Sequence, residues 1–275
     1  MSRRVLPGFG LSLGFTLLYT GLILLLPLTA LVMQLAQMSW SQYWNVVTSP
    51  QVVAAYGVTL KAALAASLFN AVFGILMAWI LTRYRFPGRR ILDGLMDLPF
   101  ALPTAVAGLT LATLFAPDGW YGRFSHSFDI TVVNTWVGIA VAMAFTSIPF
   151  VVRTVQPVLE SLKPEYEEAA ETLGASRLQI FYRVIWPEIA PAALAGTVLS
   201  FTRSLGEFGA VIFIAGNLAW KTEVVSFLIF VRLQEFDFPA ATAIASVILM
   251  ASLVLLLTVN IIQSRVGLRT GGAHG

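Results

Sequence analysis

The chain has 275 residues, of which 57% are hydrophobic and 11% charged, with a formal net charge of +3. Soluble domains carry about a quarter charged residues, so this balance points into a membrane. There is no cysteine, which excludes disulfides, thiolate metal sites and iron–sulfur clusters.

Crossing the hydrocarbon core of a bilayer takes about 20 mostly apolar residues. Six stretches qualify, at 9–36, 54–82, 91–115, 132–152, 190–216 and 239–262. They predict an all-α integral membrane protein with six transmembrane helices. The first follows Arg3 and Arg4, as a signal peptide follows its basic start. Its apolar run exceeds the usual signal core and no small-residue cleavage site follows, so it reads as a retained helix. Trp40, Tyr43 and Trp44 suit an interfacial aromatic belt. Lys61 stands near the outer end of the second stretch, where it can snorkel.

In the third stretch Asp93 is one turn from Arg89, a spacing for local pairing. Asp97 lies deeper, beside "LPFALP" (98–103). Pro99 and Pro103 break a helix and free backbone carbonyls, which is tolerable only against protein or a water-filled cavity. With Thr104 and Gly108 this segment reads either as a pore-lining kink or as ordinary helix packing. The run "EVVSFLIFVRL" (223–233) is too short to span and predicts an interfacial or loop helix.

The fifth stretch carries "SFTRSLGEFGAVIFIAGN" (200–217). An ionic group costs at least ~2.5–3.5 kcal/mol in the membrane core, so Arg203 and Glu207 need an account. Gly196, Ser200, Arg203, Glu207 and Ala210 form a polar stripe at helical spacing. Two readings stand. Arg203 and Glu207 neutralise each other structurally, or they line a substrate path with Ser200, Thr202 and Ser204 as further donors and Asp97 and Thr104 beside it.

With six crossings, both termini share one side. That side collects Arg3 and Arg4, then Arg83, Arg85, Arg89 and Arg90, then Arg153, Lys163, Arg177 and Arg183, then Arg265 and Arg269. The opposite loops hold Arg123, Lys221 and Arg232. The positive-inside rule then places both termini in the cytoplasm. This distribution needs no nucleic acid to explain it. His126 and His274 fall in a loop and in the tail, as solvated surface residues rather than a metal site.

The longest cytoplasmic loop reads "SLKPEYEEAAETLGASRLQIFYRVIWPEIAP" (161–191). Pro164 suits a first helical position, and Glu165, Glu167 and Glu168 favour the positive end of the helix dipole. Tyr166, Ala169, Ala170 and Leu173 fall on one face, and Gly174 sits where a left-handed cap is expected. Ser176 can cap a second helix through Phe181 and Ile185, stopped by Pro187 and Pro191. An amphipathic connector lying on the bilayer is one reading, but such helices are usually basic, and an acidic one fits better in a protein groove.

Glu168-Ala169-Ala170, Gly174 and Val184-x-Trp186-Pro187 resemble the EAA loop of bacterial ABC importer permeases, with Val184 and Trp186 replacing the pattern's Ile and Leu. The resemblance implies type I importer permease architecture and a coupling helix seated in a separate ATPase subunit. Coupling residues carried over by position are Glu168, Ala169, Ala170, Gly174 and Pro187. The expected organisation is an N-terminal helix and periplasmic segment (1–53), a transmembrane domain (54–264) with the coupling loop at 153–190, and a cytoplasmic tail (265–275).

None of the three lysines, Lys61, Lys163 and Lys221, follows a glycine, so the chain has no P-loop. "GLSLG" (10–14) lies in an apolar stretch and lacks the context of a nucleophile elbow. No catalytic residue is expected, and no metal or cofactor in this chain. ATP and magnesium are implied for the partner ATPase.

"TRSLGEFGA" (202–210) is similar to the fifth-span signature of oxyanion permeases. "MDLPFALPTAVAGLTLATLF" (96–115), "AMAFTSIPFVVRTVQPVLE" (142–160) and "FVRLQEFDFPAATAIASVIL" (230–249) resemble the T-type permeases of sulfate/thiosulfate importers. That likeness implies a multi-pass subunit of the bacterial inner membrane. Its implied partners are a W-type permease, two copies of an ATP-binding subunit and a periplasmic sulfate- or thiosulfate-binding protein, working by alternating access. A molybdate or tungstate permease is the nearest alternative. An ion-coupled secondary transporter using Lys61, Asp97, Arg203 and Glu207 is another, though no internal six-span repeat supports it.

Overall fold

A computed structural model describes residues 9–271, and among them there is no strand. The chain opens with α1 (Phe9–Ala36), a short α2 (Trp40–Val47) and the long α3 (Pro50–Arg83). Three pieces follow, α4 (Arg89–Met96), α5 (Leu98–Ala101) and α6 (Thr104–Phe115), then α7 (Trp120–His126) and α8 (Trp136–Ser161). Next come α9 (Pro164–Thr172), α10 (Arg177–Ile180), a π-turn over Phe181–Ile185 and α11 (Trp186–Leu205). The chain closes with α12 (Val211–Ile214), α13 (Val225–Gln234) and α14 (Phe238–Gly271).

Among the described residues five helical segments are long and apolar enough to cross a membrane: Phe9–Ala36, Pro50–Arg83, Trp136–Ser161, Arg177–Leu205 and Phe238–Val259. The third expected span is not one helix. Pro99 and Pro103 withhold donors from the helical ladder, and the chain turns at Asp97 and again at Leu102. The fifth lies earlier in the chain than expected, at Arg177–Leu205 rather than 190–216. It ends at Leu205, and Gly206 opens a loop that resumes helix only at Val211.

Helices α3, α8 and α11 form the centre, and small residues let them approach closely. A Cβ on Gly74 would collide with Val151, and one on Gly196 would fall on the Thr154 hydroxyl. Ala62, Ala63, Ile139, Met143, Leu205 and Ile214 make one core, and Ala78, Leu81, Val152, Leu159, Ile185 and Ile189 another. No residue of α1 is buried, and this helix lies on the rim. α13 is as short as expected and packs one side into the bundle. Val225 and Leu228 are fully buried between α3 and α14, and the Val225 N–H donates to the Thr59 hydroxyl at 3.0 Å.

α14 continues through the segment expected as a tail, to Gly271. His126 ends α7 rather than lying in a loop. Arg3, Arg4 and His274 fall outside the described residues.

Candidate functional site

The acidic loop folds as a short helix, a turn and a second helix. In α9 Pro164 occupies the first turn with Glu165 and Glu167. The helix ends in two paired bonds: Ala175 N–H to Ala170 O at 3.0 Å and Gly174 N–H to Glu171 O at 2.9 Å. This is a Schellman cap, and it puts Gly174 at φ +82°. Ala170 and Ala175 close it by packing together on the Ile180–Ile185 core. Ser176 then opens α10 with a reciprocal capping box to Gln179.

The prolines do not stop this second helix. The chain widens into a π-turn, in which Trp186 N–H donates to Phe181 O. That shift spreads the carbonyls that a proline ring would strike, so Pro187 starts α11 and Pro191 sits within it.

One face of α9 is tied to its own chain: Glu167 Oε1 accepts from Arg83 at the end of α3, at 2.5 Å. The opposite face is open. Tyr166 is 54% and Leu173 88% exposed, and Glu168 and Ala169 are also exposed. Glu165, Glu168 and Glu171 have no ion partner among the described residues. A cleft of about 470 Å³ lies beside them, walled by Trp79, Tyr84, Glu168, Arg177 and Phe181.

Deeper, Arg153 of α8 gathers the charges of the broken segment. Its Nε and one terminal nitrogen hold both oxygens of Asp97 at 2.7 and 2.6 Å. Its other terminal nitrogen reaches Asp93 Oδ1 at 2.6 Å and Gln156 at 2.7 Å. Asp93 thus pairs with Arg153 and not with Arg89, because it turns inward toward α8. Arg153 had been counted only as a loop cation. The sequence signal was there: Asp93 and Asp97, four apart on one helix face, form a site for a forked cation.

The fifth-span residues divide. Ser200 and Ser204 are fully buried in a polar seam that joins three helices. Asn70 Nδ2 lies 3.0, 2.9 and 3.1 Å from Ala144 O, Ser147 Oγ and Ser200 Oγ, three acceptors for its two hydrogens, and Ser147 Oγ lies 3.2 Å from Ser204 Oγ. In this conformation the two serines are helix glue and reach no open path. Asn70 and Ser147 were not singled out from the sequence, since a lone polar residue in an apolar run has no periodic signature.

Glu207 lies past the end of α11 and is 1% exposed. Its Oε1 accepts from Ala210 N–H at 3.0 Å, and Ser226 Oγ donates to its carbonyl at 2.7 Å. Arg203 reaches its other oxygen at 2.7 Å from a position 35% exposed. Glu207 therefore shapes the loop, and Arg203 is the member of the pair that meets the surface. The Thr202 hydroxyl is buried without a partner. Thr104 and Gly108 pack against the loop that follows α11. A Cβ on Gly209 would fall on Thr104 Oγ1, and one on Gly108 on the Ala210 carbonyl, so "GEFGA" is the floor on which α6 rests. Lys61 lies 3.8 Å over the Trp136 ring. No three His, Asp or Glu side chains converge as a metal set among the described residues.

The structure is a bundle of apolar helices, five of them long enough to cross a membrane, with an exposed acidic hairpin at 164–185. The chain belongs to the family described as "Binding-protein-dependent transport system inner membrane component", which matches residues 70–271. It is 76% identical over 271 residues to "Sulfate transport system permease protein CysT" of Salmonella typhimurium, covering 98% of each chain. The protein of that name in Escherichia coli is 75% identical over the same span, again covering 98% of each. The one from Synechocystis is 48% identical, covering 90% of this chain and 87% of that one. Among solved structures a bacterial alginate ABC transporter shares the fold, with a TM-score of 0.76 at 20% identity over 93% of each chain. A methionine ABC transporter follows, with 0.58 at 16% identity over 83% of this chain and 99% of that one. The chain is a membrane transport component and not an enzyme, and ATP hydrolysis in its family lies in a separate subunit.

Proposed function

We propose that this chain is the T-type permease of an ATP-driven importer that moves sulfate, and by the same chemistry thiosulfate, across the bacterial inner membrane. The single observation that carries the coupling is the hairpin 164–185. It is pinned from behind by Arg83 and its Schellman cap, and it presents Tyr166, Glu168, Ala169 and Leu173 to an absent partner. A rigid small-faced helix of this kind is what a groove in a second protein accepts. The substrate follows from the relatives' names, at 75–76% identity over nearly the whole chain.

In this reading two copies of an ATP-binding subunit, holding ATP and magnesium, take the coupling hairpins of this chain and of a W-type permease. A periplasmic binding protein delivers the anion. α4, α5 and α6 together make the sixth crossing, and both termini lie in the cytoplasm. The membrane domain is taken as 54–264, and α3, which carries its start, begins at Pro50. Glu168, Ala169, Ala170, Gly174 and Pro187 serve coupling. Of the path candidates, Arg203 is the residue through which this chain would meet an anion, because it is 35% exposed, whereas the Thr202 hydroxyl is buried and Ser200, Ser204, Glu207, Asp97 and Thr104 pack or pair within the fold.

Copurification with partner subunits, mass identification and a binding-protein-dependent ATPase assay test the reading. Sulfate and thiosulfate should stimulate hydrolysis and molybdate should not. Purification without an ATPase, with transport persisting after nucleotide depletion, would establish a secondary transporter instead.

A further inference from the structure

Three arginines at the start of the broken crossing have no work within the chain. Arg85, Arg89 and Arg90 surround a cleft of about 370 Å³ with Phe86, Gly88 and Ile91. None of the three has a side-chain hydrogen bond or acid partner among the described residues, and the nearby Asp93 and Asp97 are held by Arg153. The cleft is therefore strongly cationic.

Ile91 also begins an apolar track. It is 70% exposed, and Leu95, one turn on along the same face of α4, is 48% exposed. Leu95 in turn lines a second cavity, of about 620 Å³, between the broken segment and helices α3 and α8. Its walls are Phe69, Met96, Ala140, Ala144, Phe145 and Ile148 among others. The groove runs along α8 from Trp136 to Ile148, about 18 Å at helical rise. That is longer than half of a hydrocarbon core of about 30 Å, so it takes an acyl chain.

We infer that this surface is a binding site for one anionic phospholipid, its phosphodiester in the Arg85–Arg89–Arg90 cleft and an acyl chain in the apolar groove. A small oxyanion would satisfy the arginines but leave the groove open. A helix of another permease would fill the groove but bring no anion to the cleft. The site occupies the angle between α4 and α8, so its lipid braces the broken segment against the helix that leads into the coupling hairpin. The inference rests on membrane placement and not on the identity of the transported anion.

The test uses the full-length complex in nanodiscs of phosphatidylcholine with phosphatidylglycerol, with retained lipid counted by native mass spectrometry. Phosphatidylglycerol should be retained selectively. R85Q/R89Q/R90Q should lower that retention by about a hundredfold, at roughly fivefold per arginine. Ala140→Phe should displace the lipid with every arginine in place, and Arg123→Gln should leave it bound. Equal retention of the two lipids, or unchanged retention in both site variants, overturns the proposal. Displacement by excess sulfate would mark a free oxyanion site, and loss of the second permease in Ala140→Phe a protein interface. Either result also overturns it. If the triple variant fails to fold, the Ala140→Phe and sulfate arms decide.

Discussion

Replacing Gly174 isolates the backbone's part in coupling. Its φ of +82° is one that L-residues rarely adopt, yet no atom lies within 4 Å of where a Cβ would stand. A substitution is therefore penalised by conformation and not by collision. An ordinary residue pays about 1–2 kcal/mol for a left-handed geometry, and a β-branched one more. At 1.4 kcal/mol per tenfold, Gly174→Val should reduce the population of the correctly turned hairpin about five- to thirtyfold. The bonds from Gly174 to Glu171 and from Ala175 to Ala170 would open together. The core beneath is built from other residues, so thermal unfolding of the membrane domain should hardly change.

The assay is binding-protein-stimulated ATPase and sulfate uptake in proteoliposomes, with basal hydrolysis as reference. Gly174→Val should lose stimulation and uptake together, while Gly174→Asn, tolerated in left-handed geometry, should retain most of both. Equal damage from Asn and Val would refute the conformational account and point to a partner that needs the open space. Normal uptake in Gly174→Val would refute the coupling role of the turn.

Arg153→Lys should fail to replace arginine, because one ammonium cannot hold both Asp97 oxygens and Asp93. The pair is partly exposed, so the loss in a detergent-solubilised melt should be only about 1–2 kcal/mol, and a wild-type melt would remove the fork. Arg203→Ala leaves a buried Glu207 carboxylate without its cation and should destabilise by about 3–5 kcal/mol. Adding Glu207→Gln should restore assembly. If uptake returns with it, Arg203 is structural; if uptake stays lost, Arg203 meets the anion. Asn70→Leu removes the two interhelical bonds its amide hydrogens can make, at about 0.6 kcal/mol each, so stability in the melt should fall by about 1 kcal/mol. An unchanged melt would mean that the apolar contacts alone hold α3, α8 and α11 together.

The coupling hairpin was legible in the sequence because its signals are local. A proline at a helix start, acids in the first turn, a glycine cap and a serine cap each act within a few residues: Pro164, Glu165 and Glu167, Gly174 and Ser176 took the expected places, while the reciprocal bond from Gln179 was not foreseen. The prolines after it misled because their effect depends on neighbouring carbonyls, which a π-turn can move. The path residues were read least well. A helical stripe records which residues share a face, but not whether that face meets water, lipid or another helix. Ser200 and Ser204 turned out to face Asn70 and Ser147, which are 53 to 130 residues away along the chain.

Sequence alone determined that this is a helical membrane protein and that an acidic helical hairpin follows Pro164. Hydrophobic length and capping chemistry are properties of the local chain, and the relatives' names agree with that reading. Only the tertiary structure decided that Asp93 and Asp97 answer to Arg153, that Glu207 is buried as a loop support, and that the third apolar stretch is three helical pieces, the last of them packed on "GEFGA". These are questions of which distant group fills a vacant valence or a missing Cβ, and they are settled only when α3, α6, α8 and α11 come into contact.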